Sequence, residues 1–155
     1  MKKMSFVTRV TIFDKSCGIV EEFKILAEYI ARHYPDAKKI VEVGVGKIPD
    51  AAVELSRLLP SCEVIVTDIA QPPELPSKIK FFKDDITNPN LQVYQGASVI
   101  YSIRPPPELN PYLLKVARTV NADLIIKLTS DEAPPKGARL INYRGLAMYS
   151  FKLRE

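Results

Sequence analysis

A chain of 155 residues, 46% hydrophobic and 26% charged, has the size and composition of one globular domain able to bury a sizeable core. Its net charge of +4 is too small to mark a dedicated polyanion binder, and no apolar run reaches the roughly 18 residues of a membrane span. With one histidine and two cysteines it cannot build a tetrahedral zinc site from those ligands, and no metal site is assigned.

Arg9 and Thr11 interrupt any apolar signal core near the N-terminus, so the chain reads as a single cytoplasmic domain over residues 1–155. Cys17 and Cys62 read as buried thiols, a disulfide between them being the alternative that a hyperthermophile's interior would suit. Thirteen prolines exceed the average share of about 5% and fit a thermophile's protein.

Residues 16–34 carry Ile19, Val20, Phe23, Leu26, Ala27, Ile30, Ala31 and Tyr34 at spacings of three and four, which predicts an amphipathic helix stopped by Pro35-Asp36. His33, at its end, reads as a capping or surface residue. Lys39–Val43 is a β-rich run ending in Gly44-Val45-Gly46. Pro49 then opens a helix that Pro60 closes. Glu63–Thr67 is a second strand closed by Asp68. Prolines 72, 73 and 76 forbid a long helix after it, so this crossover is expected to be loop-like.

Residues 79–82 form a short third strand followed by Asp84-Asp85, and residues 97–102 a fourth, trailed by Arg104 and three prolines. Asn110-Pro111 opens a helix carrying Leu113, Val116, Ala117 and Val120. A fifth strand spans 123–128. Residues 129–137 are loop by composition, and two last strands flank Arg144-Gly145 as a hairpin.

Strands alternating with helices, then a hairpin, predict an α/β Rossmann-like doubly wound sheet, mainly parallel, with an antiparallel C-terminal hairpin. Such sheets bind ligands beyond the carboxyl ends of their strands, where the strand order reverses. Gly44-Val45-Gly46, Asp68, Asp85 and Ser102-Ile103-Arg104 all fall on that edge. Glycines 44 and 46 let the backbone approach a ligand, Asp68 can accept bonds from ribose hydroxyls, and Asp85 from an adenine amino group. Gly44-Val45-Gly46-Lys47-Ile48-Pro49 has proline where a dinucleotide fingerprint needs its last glycine, which disfavours that ligand class.

Val41-Glu42-Val43-Gly44-Val45-Gly46, Val66-Thr67-Asp68 and Asp84-Asp85-Ile86 resemble the first three cofactor motifs of the class I S-adenosylmethionine-dependent methyltransferases. More narrowly, the chain is similar to a family of short, uncharacterised archaeal proteins with a shortened form of that fold. The resemblance implies S-adenosylmethionine as cofactor, with Glu42, Gly44 and Gly46 around its amino-acid end. It places Asp68 on the ribose, and Asp85 with Ile86 flanking the adenine. Ser102-Ile103-Arg104-Pro105-Pro106 matches the fourth motif, beside the transferred methyl, making Ser102 and Arg104 the substrate-side candidates. Arg104 would orient an anionic or carbonyl-bearing group, and no residue has a strong claim to be a catalytic base.

The sequence departs from the family pattern in the long charged side chain of Lys47 at the mouth of the loop, in Ser102 where many amino-methylating members place Asp or Asn, and in a helix lacking after strand five. Two functions therefore stand. One is a small methyltransferase of unknown substrate. The other is a nonenzymatic nucleotide-binding regulator or assembly subunit, pairing with a second copy through the exposed strand of its C-terminal hairpin. Residues 101–155 hold nine Lys+Arg against five Asp+Glu. Arg104, Lys127, Lys136, Arg139 and Arg144 could form a basic rim, but without interleaved aromatics this is little sign of a nucleic-acid surface.

Overall fold

The structure is a computed structural model that describes residues 14–72, 74–129 and 131–155, with side chains from Glu21 onward. The expected roles of Cys17, Ile19 and Val20 lie outside the described side chains. Helix α1 (Asp14–His33) precedes β1 (Lys39–Val43), α2 (Asp50–Leu58), β2 (Glu63–Asp68) and β3 (Ile79–Lys83). A single-turn α3 (Leu91–Tyr94), β4 (Val99–Ile103), a 3-10 turn (Pro107–Leu109), α4 (Asn110–Val120) and β5 (Asp123–Lys127) follow. The hairpin β6 (Arg139–Tyr143) and β7 (Leu146–Phe151) completes the sheet.

The seven strands lie in the order β3-β2-β1-β4-β5-β7-β6. As expected, β1 sits between β2 and β4, parallel to both, with Ile40 opposite Val64 on one side and Val99 on the other. β3 and β5 extend the parallel part, and β7 joins β5 antiparallel. No helix interrupts the described residues between β2 and β3 or between β5 and β6, in line with their prolines and polar composition. The one-turn α3 has no counterpart among the expected elements. It is held by Asn90, whose side chain accepts the Gln92 N–H at 3.1 Å, and four residues are too few to show a periodicity.

Successive strand residues point to opposite faces, and both faces are covered. Ile40, Val64, Val66, Tyr101, Ile125 and Met148 pack under α1 and α2, against Phe23, Leu26, Ile30, Ala52 and Leu55. Val41, Val43, Ile65, Ile100, Leu124 and Ile126 pack on the other face against Tyr94, Leu113, Val116 and Ala117. Residues 40–43 of β1 are therefore all buried, and each fully buried Ile or Val contributes about 1.5–3 kcal/mol. That rigid strand aims the turn that follows it.

His33 lies where the sequence puts it, exposed at the end of α1, with Nδ1 2.9 Å from the Tyr29 carbonyl. Asn121 ends α4 in the left-handed conformation, φ 62°, its N–H bonded to the carbonyls of Ala117 and Arg118. Cys62, expected to be buried, is half-buried and a free thiol among the described residues, and burial pushes its pKa up to about 11. No helix among the described residues is long and apolar enough to cross a membrane.

Candidate functional site

Beyond Val43 the chain turns sharply. The N–H groups of Gly44 and Val45 both donate to the Thr67 carbonyl, at 2.9 and 3.0 Å. Gly44 then adopts φ 77° and Gly46 φ 60°, left-handed values that a side-chain-bearing residue takes only under strain. The turn brings the Gly46 N–H to Oδ2 of Asp68, at 2.7 Å. Asp68 Oδ1 accepts from the N–H of Ile69 at 2.7 Å and of Ala70 at 3.3 Å. The residue expected to hold a ribose thus also ties the β1 and β2 loops together. An ionised carboxylate offers about four acceptor sites, so capacity remains for a ligand hydroxyl.

Asp84 and Asp85 divide the work at the end of β3. Asp84 is structural: its carboxylate accepts from the Asn90 N–H at 2.9 Å and the Tyr94 hydroxyl at 2.6 Å. Asp85 is exposed, and Thr87 donates its N–H and hydroxyl to Oδ1, at 2.9 and 2.7 Å. The Thr87 hydroxyl, then its N–H, hold the Asp85 pKa below the usual carboxylate range, so the side chain is an ionised acceptor at neutral pH. Ile86, expected to flank an adenine, is instead 6% exposed and packs into the core beneath α4. It lines a second cavity, about 210 Å³, with Thr87, Leu91 and Tyr112.

Over β1 and β4, at the point where the strand order reverses, a small cavity of about 80 Å³ is lined by Val43, Gly44, Ser102, Ile103, Arg104 and Pro105, among others. It unites the first and fourth motifs, as the sequence led one to expect. Cofactor pockets usually measure about 300–1,000 Å³, so this cavity fits only one end of a nucleoside-sized ligand, whose remainder would lie across the open strand ends. Ser102 is buried and donates its hydroxyl to the Val43 carbonyl at 2.8 Å, which pins β4 to β1. Arg104 extends its guanidinium to Glu22 of α1, with an N–O distance of 2.8 Å. Both substrate-side candidates border the cavity, and both are already bonded within the protein. None of the lining residues is a carboxylate, histidine or lysine.

Behind the turn lies a residue that its side chain's chemistry makes unusual. Glu42 is 1% exposed and its Oε1 accepts the hydroxyl of Tyr101, itself fully buried, at 2.8 Å. Burial raises its pKa to about 8; the Tyr101 bond opposes that shift, and the charges of Asp68 and Asp50 add to it. Between about pH 4.3, where an ordinary Glu releases its proton, and about pH 8, the native state binds a proton that the unfolded chain has lost. Stability from this group therefore falls as pH rises through that window. Glu42→Gln keeps the acceptor for Tyr101 and removes the titration. In calorimetric melts from pH 5 to 8, the variant should gain on the parent with rising pH, by at most about 1.4 kcal/mol per pH unit. A difference that stays constant with pH would show Glu42 to be ionised in the native protein.

Lys47 is exposed, directly after Gly46, and does not line the small cavity. Of the basic rim, Arg104 pairs with Glu22 and Arg144 with Glu28, both on α1, so part of the C-terminal charge excess is balanced internally.

The sequence model of the Uncharacterised protein family (UPF0146) matches residues 23–153. A UPF0146 protein of Archaeoglobus fulgidus is 43% identical over 125 residues, covering 80% of this chain and 90% of the relative. One of Methanocaldococcus jannaschii is 39% identical over 131 residues, covering 81% and 93%. Among solved structures, the S-adenosylmethionine-dependent methyltransferase SibL in its apo form superposes with a TM-score of 0.59 at 15% identity, over 86% of this chain and 55% of SibL. The Burkholderia thailandensis 1,6-didemethyltoxoflavin-N1-methyltransferase, with its substrate and S-adenosylhomocysteine bound, gives 0.55 at 13% identity, over 95% and 68%. At such identities the likeness is one of fold. The chain has a methyltransferase-like fold and spans little more than half the length of SibL.

Proposed function

Starting from the premise that this chain belongs to the uncharacterised protein family UPF0146, we propose that it binds S-adenosylmethionine, or the demethylated product, at the Gly44–Gly46 turn. The observation that carries this reading is the juxtaposition of a left-handed glycine turn and the Ser102–Pro106 segment around one cavity at the reversal of strand order. The local charge agrees with it. Asp50 and Asp68 are close enough to act on Glu42, and together they favour a ligand end bearing an ammonium and a sulfonium.

In this reading Gly44 and Gly46 admit the amino-acid end of the cofactor, with Glu42 buried behind them. Asp68 takes the ribose hydroxyls and Asp85 the adenine amino group. Ile86 supports the adenine site from the core and is no longer a wall of it. When bound, the cofactor supplies an electrophilic methyl group. The chain's own part is positioning, which can contribute most of the rate where the acceptor is already nucleophilic. A second reading, a nonenzymatic nucleotide binder, is favoured by the absence of a base among the lining residues and by the engagement of the Ser102 hydroxyl with Val43.

Calorimetry with S-adenosylhomocysteine, S-adenosylmethionine and NAD tests the proposal. The first two should bind and NAD should not; failure of both to bind would remove the assignment. Asp68→Ala should weaken nucleoside binding by about 1.5–3 kcal/mol, the scale of a hydrogen bond to a charged group, or roughly ten- to a hundredfold. Parent-like affinity in that variant would mean that the crevice has been misassigned.

A further inference from the structure

Arg104 joins the cavity to α1. Its backbone is left-handed, φ 54°, at a cost of about 1–3 kcal/mol for a residue with a side chain. The bond from its N–H to the Lys127 carbonyl, 2.6 Å, holds it there. Its segment borders the cavity while its guanidinium reaches Glu22 Oε1 through one terminal nitrogen, at 2.8 Å. The side chain remains 25% exposed and that of Glu22 40% exposed.

Lys127, opposite Ile103 in the β4–β5 register, lies beside this pair. It is half-buried, and its ammonium donates to the carbonyl of Leu128 at 2.8 Å. Burial holds its pKa below the ordinary lysine range; the Arg104 charge pushes the same way and Glu22 opposes. Among the described residues Lys127 makes no ion pair. Two partly desolvated cations thus lie near one another, Glu22 pairing with Arg104 and acting on Lys127 by its charge alone, and Arg104 borders the cavity.

We propose that Arg104 and Lys127 form a docking site for an oxyanion group, carboxylate or phosphate, on the acceptor molecule, with Glu22 as the built-in competitor that this group displaces. As a statement about the acceptor, it rests on the cofactor reading above. The planar guanidinium suits the bidentate geometry of either oxyanion, and the single bond to Glu22 leaves much of its donor fork available. An incoming anion also gives Lys127 an ion-pair partner, which it does not have among the described residues. The left-handed backbone at Arg104 fixes the origin of the side chain, so Glu22 and the ligand compete for one head group in one place.

The test uses the full chain with lysines labelled with carbon-13 at Cε, the Lys127 signal being assigned by its loss in Lys127→Gln. Inorganic phosphate and acetate are titrated separately at constant ionic strength, with and without S-adenosylhomocysteine. The expected result is a saturable shift of the Lys127 signal and an upward move of its titration midpoint. Arg104→Gln should weaken the apparent affinity at least tenfold, and Glu22→Gln should tighten it several-fold. The better-bound anion identifies the acceptor's charged group. Non-saturating shifts, or saturation that neither substitution alters in a variant shown by circular dichroism to be folded, would overturn the site. Nucleoside binding is scored separately by calorimetry. Its absence with the anion site intact overturns the cofactor reading alone; its presence without anion saturation overturns this inference alone.

Discussion

Asp123→Ala should lower the unfolding free energy by about 3–5 kcal/mol, the range for removing one partner from a buried charged network, and the melting temperature by roughly 6–20 °C in a chain of this size. Asp123 opens β5 and is 5% exposed. Its Oδ2 accepts the Tyr34 hydroxyl at 2.6 Å, just past the end of α1. Its Oδ1 accepts the N–H groups of Leu153 and Arg154, at 2.8 and 2.9 Å. One carboxylate therefore joins three stretches remote in sequence, with Lys152 Nζ 3.8 Å away as counter-charge. Alanine leaves three donors without their acceptor, two of them backbone groups that no rotamer change can redirect. Burial and the bond to Asp123 push the Tyr34 phenol far above its usual range, so it remains a donor at any pH where the protein is folded. Asp123→Asn keeps an amide oxygen and should lose less; Tyr34→Phe, which removes one donor, should cost about 1 kcal/mol. Denaturant melts of the three variants check the order. A loss below 1 kcal/mol for Asp123→Ala would show that the clamp is replaced by solvent.

Gly44→Val should abolish nucleoside binding, reducing affinity more than a hundredfold, in a protein that still folds. A Cβ built at Gly44 meets no atom within 4 Å, so the protein has room for a side chain there, but φ 77° does not suit one. Strain of about 1–3 kcal/mol is tolerable for most domains. On the proposed reading a ligand takes this free space, and a branched side chain at the cavity wall would fill it. Gly145 provides the control. It has φ 83°, also with nothing within 4 Å, and it lies in the hairpin turn outside the cavity lining. Gly145→Val should show similar strain and bind S-adenosylhomocysteine as the parent does. Parallel calorimetric titrations decide between the two causes. Equal losses in both variants would point to strain alone, and parent-like binding by Gly44→Val would show that the ligand does not pass this turn.

The parallel sheet was legible because its signals are local. Residues 39–43, 63–67 and 123–128 are apolar runs bounded by glycine, proline or acid, and a strand covered on both faces has little other way to appear. Prolines 72, 73 and 76 likewise announced a crossover without a long helix. The turn at Gly44–Gly46 and its neighbour Ser102 were legible for a further reason, since strand ends in a parallel sheet share one edge. What escaped depends on partners far away in sequence. Asp123 looked like the polar start of an apolar run, though its role comes from Tyr34 and Leu153, 89 and 30 positions away. The motif makes Glu42 a ligand contact, while only the assembled sheet reveals its burial and its bond to Tyr101. Position after β3 puts Ile86 beside a ligand, but packing against α4 takes it into the core. Arg104 borders the cavity, and nothing local indicates that Glu22, 82 positions earlier, holds it.

The hairpin has a consequence for how the protein is made. Among the described residues β6 pairs only with β7, and β7 fills the place between β6 and β5. During synthesis, residues 139–143 leave the ribosome before the strand they pair with, and β5 is an open edge until residues 146–151 follow. The five parallel strands and their helices can assemble on the nascent chain from the N-terminal side. The last stage must wait, then close both edges with one short segment. Until that segment docks, β5 is an open strand edge on a nearly assembled domain, the surface a chaperone or a second chain would meet first.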